Sequence, residues 1–211
     1  MIDTQGINLL TRRDIVLEDI ITILKQLPHI ESSKNIYFDL LSCVVDQQIH
    51  YRTRGGSVIN KIITSLNAEL PSADNILTIN EKQFSEFKLS SDKYQTVLRL
   101  TEFFQEKKLS FIDFENMTES EVRSLLSEIK GIGEWTIDMI LLFTLQRPNI
   151  FPADDYHLKN LMVQLYGLDP KSKLRSQMLE VAEGWSPYKS LAVQYLLAWK
   201  DSKKNPKNKK K

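Results

Sequence analysis

The chain has 211 residues, 42% hydrophobic and 26% charged, which is an ordinary globular composition. No apolar run approaches the roughly 18 residues of a membrane span, and the N-terminus lacks the basic-then-apolar pattern of a secretory leader, so neither is expected. The single cysteine, Cys43, excludes an intramolecular disulfide or a four-cysteine cluster and points to a reducing compartment. The net charge is +1, but the six lysines and one aspartate of 201–211 carry +5, which leaves −4 on the rest. A basic field over the whole body is therefore excluded; any anion-binding face must be local. The segment 201–211 has no apolar side chain and is expected to be disordered.

Taken in chain order, apolar residues fall at helical spacing in Arg13–Leu27 (Ile15, Ile20, Ile23, Leu24, Leu27) and Tyr37–Ile49 (Phe38, Leu41, Val44, Val45). Val58–Leu66 continues the pattern until Pro71-Ser72 breaks it. Asn80 opens a short helix to Phe87, and Ser90 caps Ser91–Phe104. Thr118 with Glu121 makes a capping-box pattern before Val122, Leu125 and Leu126. Trp135–Leu145 is a strongly apolar helix that ends before Pro148. Asp155–Tyr166, Lys173–Glu183 and Pro187–Trp199 complete the series. No stretch alternates long enough for a strand. The reading is an all-α fold of roughly ten helices with short connections.

The segment Leu125-Leu126-Ser127-Glu128-Ile129-Lys130-Gly131-Ile132-Gly133-Glu134-Trp135-Thr136 joins two helices through paired glycines. Glycine permits a tight turn with positive φ, and Ile132 between them can plug the helix interface. The N–H groups at the start of the second helix have no intrahelical partner, which suits them to a phosphate. Lys130 adds a cation. Downstream lies Phe151-Pro152-Ala153-Asp154-Asp155-Tyr156-His157, with Asp155 twenty residues beyond Trp135. Pro152 forces an extended approach, and one of the two aspartates should cap the next helix, where negative charge is stabilised.

The hairpin resembles the helix-hairpin-helix DNA-binding motif, Leu-x-x-(Leu/Ile)-x-Gly-(Ile/Val)-Gly. Hairpin and aspartate together resemble the helix-hairpin-helix DNA glycosylase superfamily. The resemblance is strongest to its alkylation-repair branch, the 3-methyladenine DNA glycosylase II proteins. It rests on Phe38-Asp39-Leu40-Leu41 through Gln47-Gln48-Ile49, on Leu89-Ser90-Ser91-Asp92-Lys93 with Leu98 and Leu100, and on Trp185-Ser186-Pro187-Tyr188-Lys189-Ser190-Leu191-Ala192.

The resemblance implies two helical subdomains flanking an active-site cleft: 33–150 with the hairpin at 125–136, and 1–32 with 151–200. Its Asp-x-His register selects Asp155 as the essential carboxylate. That leaves Asp154 as the cap or a supporting partner, and His157 as a structural or DNA-facing residue. The resemblance puts Gln47 and Gln48 at the minor-groove wedge, with Gln48 preferred. Lys130, Gly131, Ile132, Gly133, Glu134 and Thr136 would grip DNA, with a monovalent cation at the backbone of Ile129 and Gly131. Tyr37, Trp135, Met139, Leu197 and Trp199 would line the base pocket. Two positions depart from the family. Leu197 stands where several relatives have a second tryptophan, with Trp199 about 200° further around the helix. Met139 stands where relatives often have tyrosine.

Trp135 occupies the place of the Schiff-base lysine of strand-cleaving relatives, which implies base removal alone. The expected reaction is hydrolysis of the N-glycosidic bond of a flipped alkylated purine, with no cofactor and no catalytic metal. The expected partner is double-stranded DNA with damaged bases, met by a monomer away from membranes. The expected location is the bacterial cytoplasm at the nucleoid, or the eukaryotic nucleus. Two alternatives stay open: another lesion class on the same fold, and a non-catalytic lesion-binding protein.

Overall fold

The computed structural model describes residues 3–27, 32–47, 58–67 and 70–204. These hold α1 (Thr4–Arg13), α2 (Ile15–Leu24), α3 (Ile36–Asp46), α4 (Val58–Leu66), α5 (Ala73–Ile76), α6 (Glu81–Glu86), α7 (Ser91–Lys107), α8 (Phe111–Asn116), α9 (Glu119–Ser127) and α10 (Glu134–Met139). A π-helical segment (Ile140–Thr144), α11 (Tyr156–Tyr166), α12 (Leu174–Glu183) and α13 (Lys189–Lys204) follow. Among the described residues there is no strand, and no helix is long and apolar enough to cross a membrane. The chain forms two compact units, Ile30–Gln146 and Met1–His29 with Arg147–Lys211.

The central unit is built around α3, whose residues Ile36–Val45 are all buried. It packs on α4, α7 and the π segment. Tyr37, Phe104 and Phe114 extend that core through a T-shaped contact at 5.5 Å and a stacked one at 6.1 Å. Short helices around it begin with reciprocal capping boxes at Ser72, Asn80, Ser110 and Thr118, so their ends are set locally. Asp39 is completely buried in α3. Its Oδ2 accepts from Ser33 Oγ at 2.6 Å and Thr144 Oγ1 at 2.7 Å, while Ser32 Oγ donates to the Thr144 carbonyl at 2.6 Å. Charge-assisted bonds of this kind are the strong ones. They tie the segment that enters the unit to the one that leaves it.

In the second unit α13 packs on α1, α2 and α11. Asp14 sits between α1 and α2 and uses both carboxylate oxygens. Oδ1 accepts from the Val16 and Leu17 amides at 2.9 and 3.0 Å, capping α2. Oδ2 accepts from Tyr166 Oη at 2.9 Å and Trp185 Nε1 at 2.7 Å. Burial, and then the Asp14 charge, push the Tyr166 hydroxyl pKa far above its usual value. Arg13 adds bonds to the Gly184 and Ser186 carbonyls.

The differences from the sequence reading have local causes. The expected Arg13–Leu27 helix starts at Ile15, because the extended Asp14 ends α1 and caps α2. Its buried stripe is Leu17, Ile20 and Ile21, while Ile15 and Ile23 face solvent. The Tyr37–Ile49 helix stops at Asp46, because Gln47 turns left-handed. The Trp135–Leu145 helix is divided by the π register, in which the Leu145 amide reaches the Ile140 carbonyl. The disorder expected from 201 onward is corrected for 201–204, which continue α13. There Ser202 Oγ bonds the Trp199 carbonyl and Lys203 Nζ lies 3.7 Å from the Trp199 ring centre, an i, i+4 cation–π contact that holds the last turn. Residues 205–211 lie outside the described ones.

Candidate active site

The hairpin is assembled within the central unit. Beyond α9 the Glu128 and Ile129 amides reach back to Leu125 and Leu126, and the Ile132 amide closes a turn on the Ile129 carbonyl. Gly131 has φ +107°, and a Cβ there would lie 2.4 Å from Thr96 Oγ1. Glycine is required twice over, by conformation and by the close approach of α7. Gly133 is extended and caps α10 with no side-chain bond, and a Cβ there would meet nothing within 4 Å. Ile129 and Ile132 are buried, as a plug requires, and Thr136 is buried behind them. Lys130, Gly131, Gly133 and Glu134 are exposed.

Charge and hydrogen bonds lock this turn. Arg123 on α9 reaches Glu134 at 3.1 Å and the buried Asp138 at 2.6 Å, both on α10. The Glu134 side chain is thus a clamp, and its backbone amide is what the helix start offers. Arg99 Nε donates to the Lys130 carbonyl at 2.9 Å. The sequence reading missed Thr96, Arg99, Arg123 and Asp138. None carries a local motif, because each matters only through a partner on another helix.

The other predicted residues of this unit are placed as follows. Trp135 is half-buried on the first turn of α10, and Met139 is buried at its end. Tyr37 is buried, its hydroxyl hydrogen-bonded to Thr101 at 3.0 Å. Burial raises its pKa to about 12, so it is a neutral hydroxyl. Gln47 is exposed, in the left-handed conformation that ends α3. Gln48 lies outside the described residues.

The second unit carries the carboxylate. The chain entering it is pinned by Ser190, whose Oγ donates to the Arg147 carbonyl at 2.5 Å and accepts the Ile150 amide at 2.9 Å. Phe151 packs edge-on to Trp185 at 5.8 Å. A turn then closes from the Asp155 amide to the Pro152 carbonyl. Asp155 itself, and not Asp154, is the N-cap of α11: Oδ1 accepts the Leu158 amide at 2.7 Å. Asp154 is exposed and paired with Lys159 at 3.1 Å, so of the two roles expected for it, cap or supporting partner, the cap is excluded. Asp155 is 7% exposed, whereas Tyr156 beside it is 72% exposed with its ring against His157. Leu197 and Trp199 are buried in α13, and one face of the Trp199 ring is covered by Lys203.

The two carboxylates at this turn are therefore differentiated by environment. Asp154 is solvated and neutralised by a lysine. Asp155 is shielded at the positive end of an eleven-residue helix, where its negative charge is stabilised.

Comparison with known proteins spans both turns. The family described as HhH-GPD superfamily base excision DNA repair protein matches residues 41–187, which include the hairpin and Asp155. The chain is 32% identical over 172 residues to the alkylbase DNA glycosidase-like protein mag2 of Schizosaccharomyces pombe, covering 80% of this chain and 79% of that one. It is 30% identical over 176 residues to DNA-3-methyladenine glycosylase 1 of the same yeast, covering 81% and 74% respectively. The solved structure of the S. pombe 3-methyladenine DNA glycosylase Mag1 in complex with abasic DNA superposes with a TM-score of 0.80 at 25% identity, over 95% of this chain and 97% of that one. The chain, with its all-α fold, therefore belongs to the HhH-GPD superfamily of base excision DNA repair proteins, in its alkylation-repair branch.

Proposed function

We propose that this protein hydrolyses the N-glycosidic bond of alkylated purines in double-stranded DNA, acting as a monomer, with Asp155 as the essential carboxylate. The observation that carries the reading is the shielded Asp155 cap on α11, beside a solvated and neutralised Asp154.

Breaking the bond to the base builds positive charge on the deoxyribose. A fixed carboxylate stabilises that charge without reorganising, and it can orient the attacking water. The Leu158 amide fixes the Asp155 side chain, so the carboxylate arrives preorganised. A purine methylated at a ring nitrogen, such as 3-methyladenine, already carries positive charge and leaves without a general acid. The base must first leave the stack, and the amides of Gly131, Gly133 and Glu134 hold a backbone phosphate while it does. Trp135 offers a ring face to a cationic base, and Met139 adds polarisable bulk. The Trp199 ring is shared with Lys203, which weakens its claim on a cationic base. Trp135 has no amine to attack the sugar, so the DNA strand stays intact and the product is an abasic site.

Incubation with methylated duplex DNA should release free 3-methyladenine and leave sites that break only on alkali treatment. Breakage without alkali, or no base release, would overturn the reading. Asp155→Asn should lower release by about a hundredfold or more while duplex binding persists.

A further inference from the structure

The cations around the hairpin fall into two groups. Arg123 is neutralised by Glu134 and Asp138, and Lys107 faces Glu128 at 3.6 Å. Arg99 and Lys130 have no carboxylate partner among the described residues. Arg99 lies on α7 between the helix body and the turn. Its Nε donates to the Lys130 carbonyl, and a terminal nitrogen reaches Thr96 Oγ1 at 3.4 Å. Thr96 in turn is the side chain against which Gly131 closes. A guanidinium has five donors in a fixed plane, and those two bonds leave the others on the same short turn. Lys93, six residues earlier on α7, donates to the Val45 carbonyl at 3.2 Å, near the end of α3 that carries Gln47. Side chains of α7 thus support both the hairpin and the end of α3.

We propose that Arg99 is a phosphate-binding residue of this protein, which braces the hairpin through the Lys130 carbonyl and gives its remaining donors to a DNA backbone phosphate beside the turn. Two features favour an anion over a purely structural role. The charge is uncompensated in a body that is net acidic outside its last eleven residues, and its direction is fixed by the Nε bond. Lys130, exposed on the same turn, supplies a second charge to the phosphate.

The inference rests on the DNA-binding part of the proposed function, and the test separates the two. Duplex carrying a tetrahydrofuran abasic-site analogue is titrated by fluorescence anisotropy across a salt series. If the unaltered protein does not bind, the broader reading fails. If it binds, each phosphate contact contributes about 0.9 to the slope of log affinity against log salt. Arg99→Gln should lower that slope by about 0.9, the loss of one contact, whereas Arg99→Lys should keep the slope and lose only part of the affinity. An unchanged slope in Arg99→Gln would overturn the proposal, even if affinity or Tm falls. Phenylglyoxal labelling of Arg99 in the unaltered protein, read by peptide mass spectrometry, needs no variant to fold. Saturating duplex should slow it, and equal labelling with and without DNA would overturn the proposal.

Discussion

The hairpin turn and the Asp155 turn divide the proposed chemistry between them, and they are held by different means. The hairpin is a backbone device. Its geometry comes from a glycine at positive φ, and its bracing from side chains of the neighbouring helices α7, α9 and α10. The Asp155 turn is a side-chain device. The carboxylate caps its own helix, and the segment behind it leans on Ser190 and on Trp185, which is anchored by Asp14 171 residues away. The contrast teaches where each turn is vulnerable. The hairpin should be sensitive to an added Cβ, and the carboxylate turn to a lost charge or a lost remote anchor.

The largest expected effect tests the chemical half. Asp155→Asn should keep the cap bond to Leu158 and the fold, yet lower base release by about a hundredfold or more, as removal of a charge-stabilising group does. Retained activity would erase the distinction between the turns. Gly131→Ala should be the most damaging change in the hairpin. It places a methyl 2.4 Å from Thr96 Oγ1 at an unfavourable φ, which should cost about 3 kcal/mol in a urea unfolding curve. Asp14→Ala should lose about 2 kcal/mol, because it removes a helix cap and leaves the Trp185 and Tyr166 donors unpaired. If the two turns are supported separately, duplex affinity should survive Asp14→Ala better than base release does. Gly133→Ala should change stability by less than about 0.5 kcal/mol, since nothing lies within 4 Å of the new methyl. Its duplex affinity should still fall, because that open space is where the phosphate is proposed to sit. A change in stability without a change in affinity would reverse the roles assigned to the two glycines.

Much of this was legible in the linear chain, for identifiable reasons. Helical periodicity and the sparse glycines and prolines located most of the long helices. The capping box at Thr118–Glu121 is a four-residue interaction and reads directly. The helix break at Asp14 was hidden, because the cap's second oxygen serves the distant residues 166 and 185. The short helices α5 and α8 were missed, since four and six residues carry too little periodicity. The order of the two aspartates was only half legible. Sequence places both at a helix start, but which one turns its carboxylate to the Leu158 amide depends on the turn that Pro152 begins.

The chain by itself determined the helical class, the glycine turn and the presence of a carboxylate at a helix start, because these follow from interactions within a few residues. Only the tertiary structure decided that Arg123 is neutralised while Arg99 is not, that Asp39 is buried among serine and threonine hydroxyls, and that Lys203 covers Trp199. The first two depend on which distant side chains are brought within hydrogen-bonding range. The third depends on α13 continuing past Trp199, into a segment whose composition alone predicted disorder.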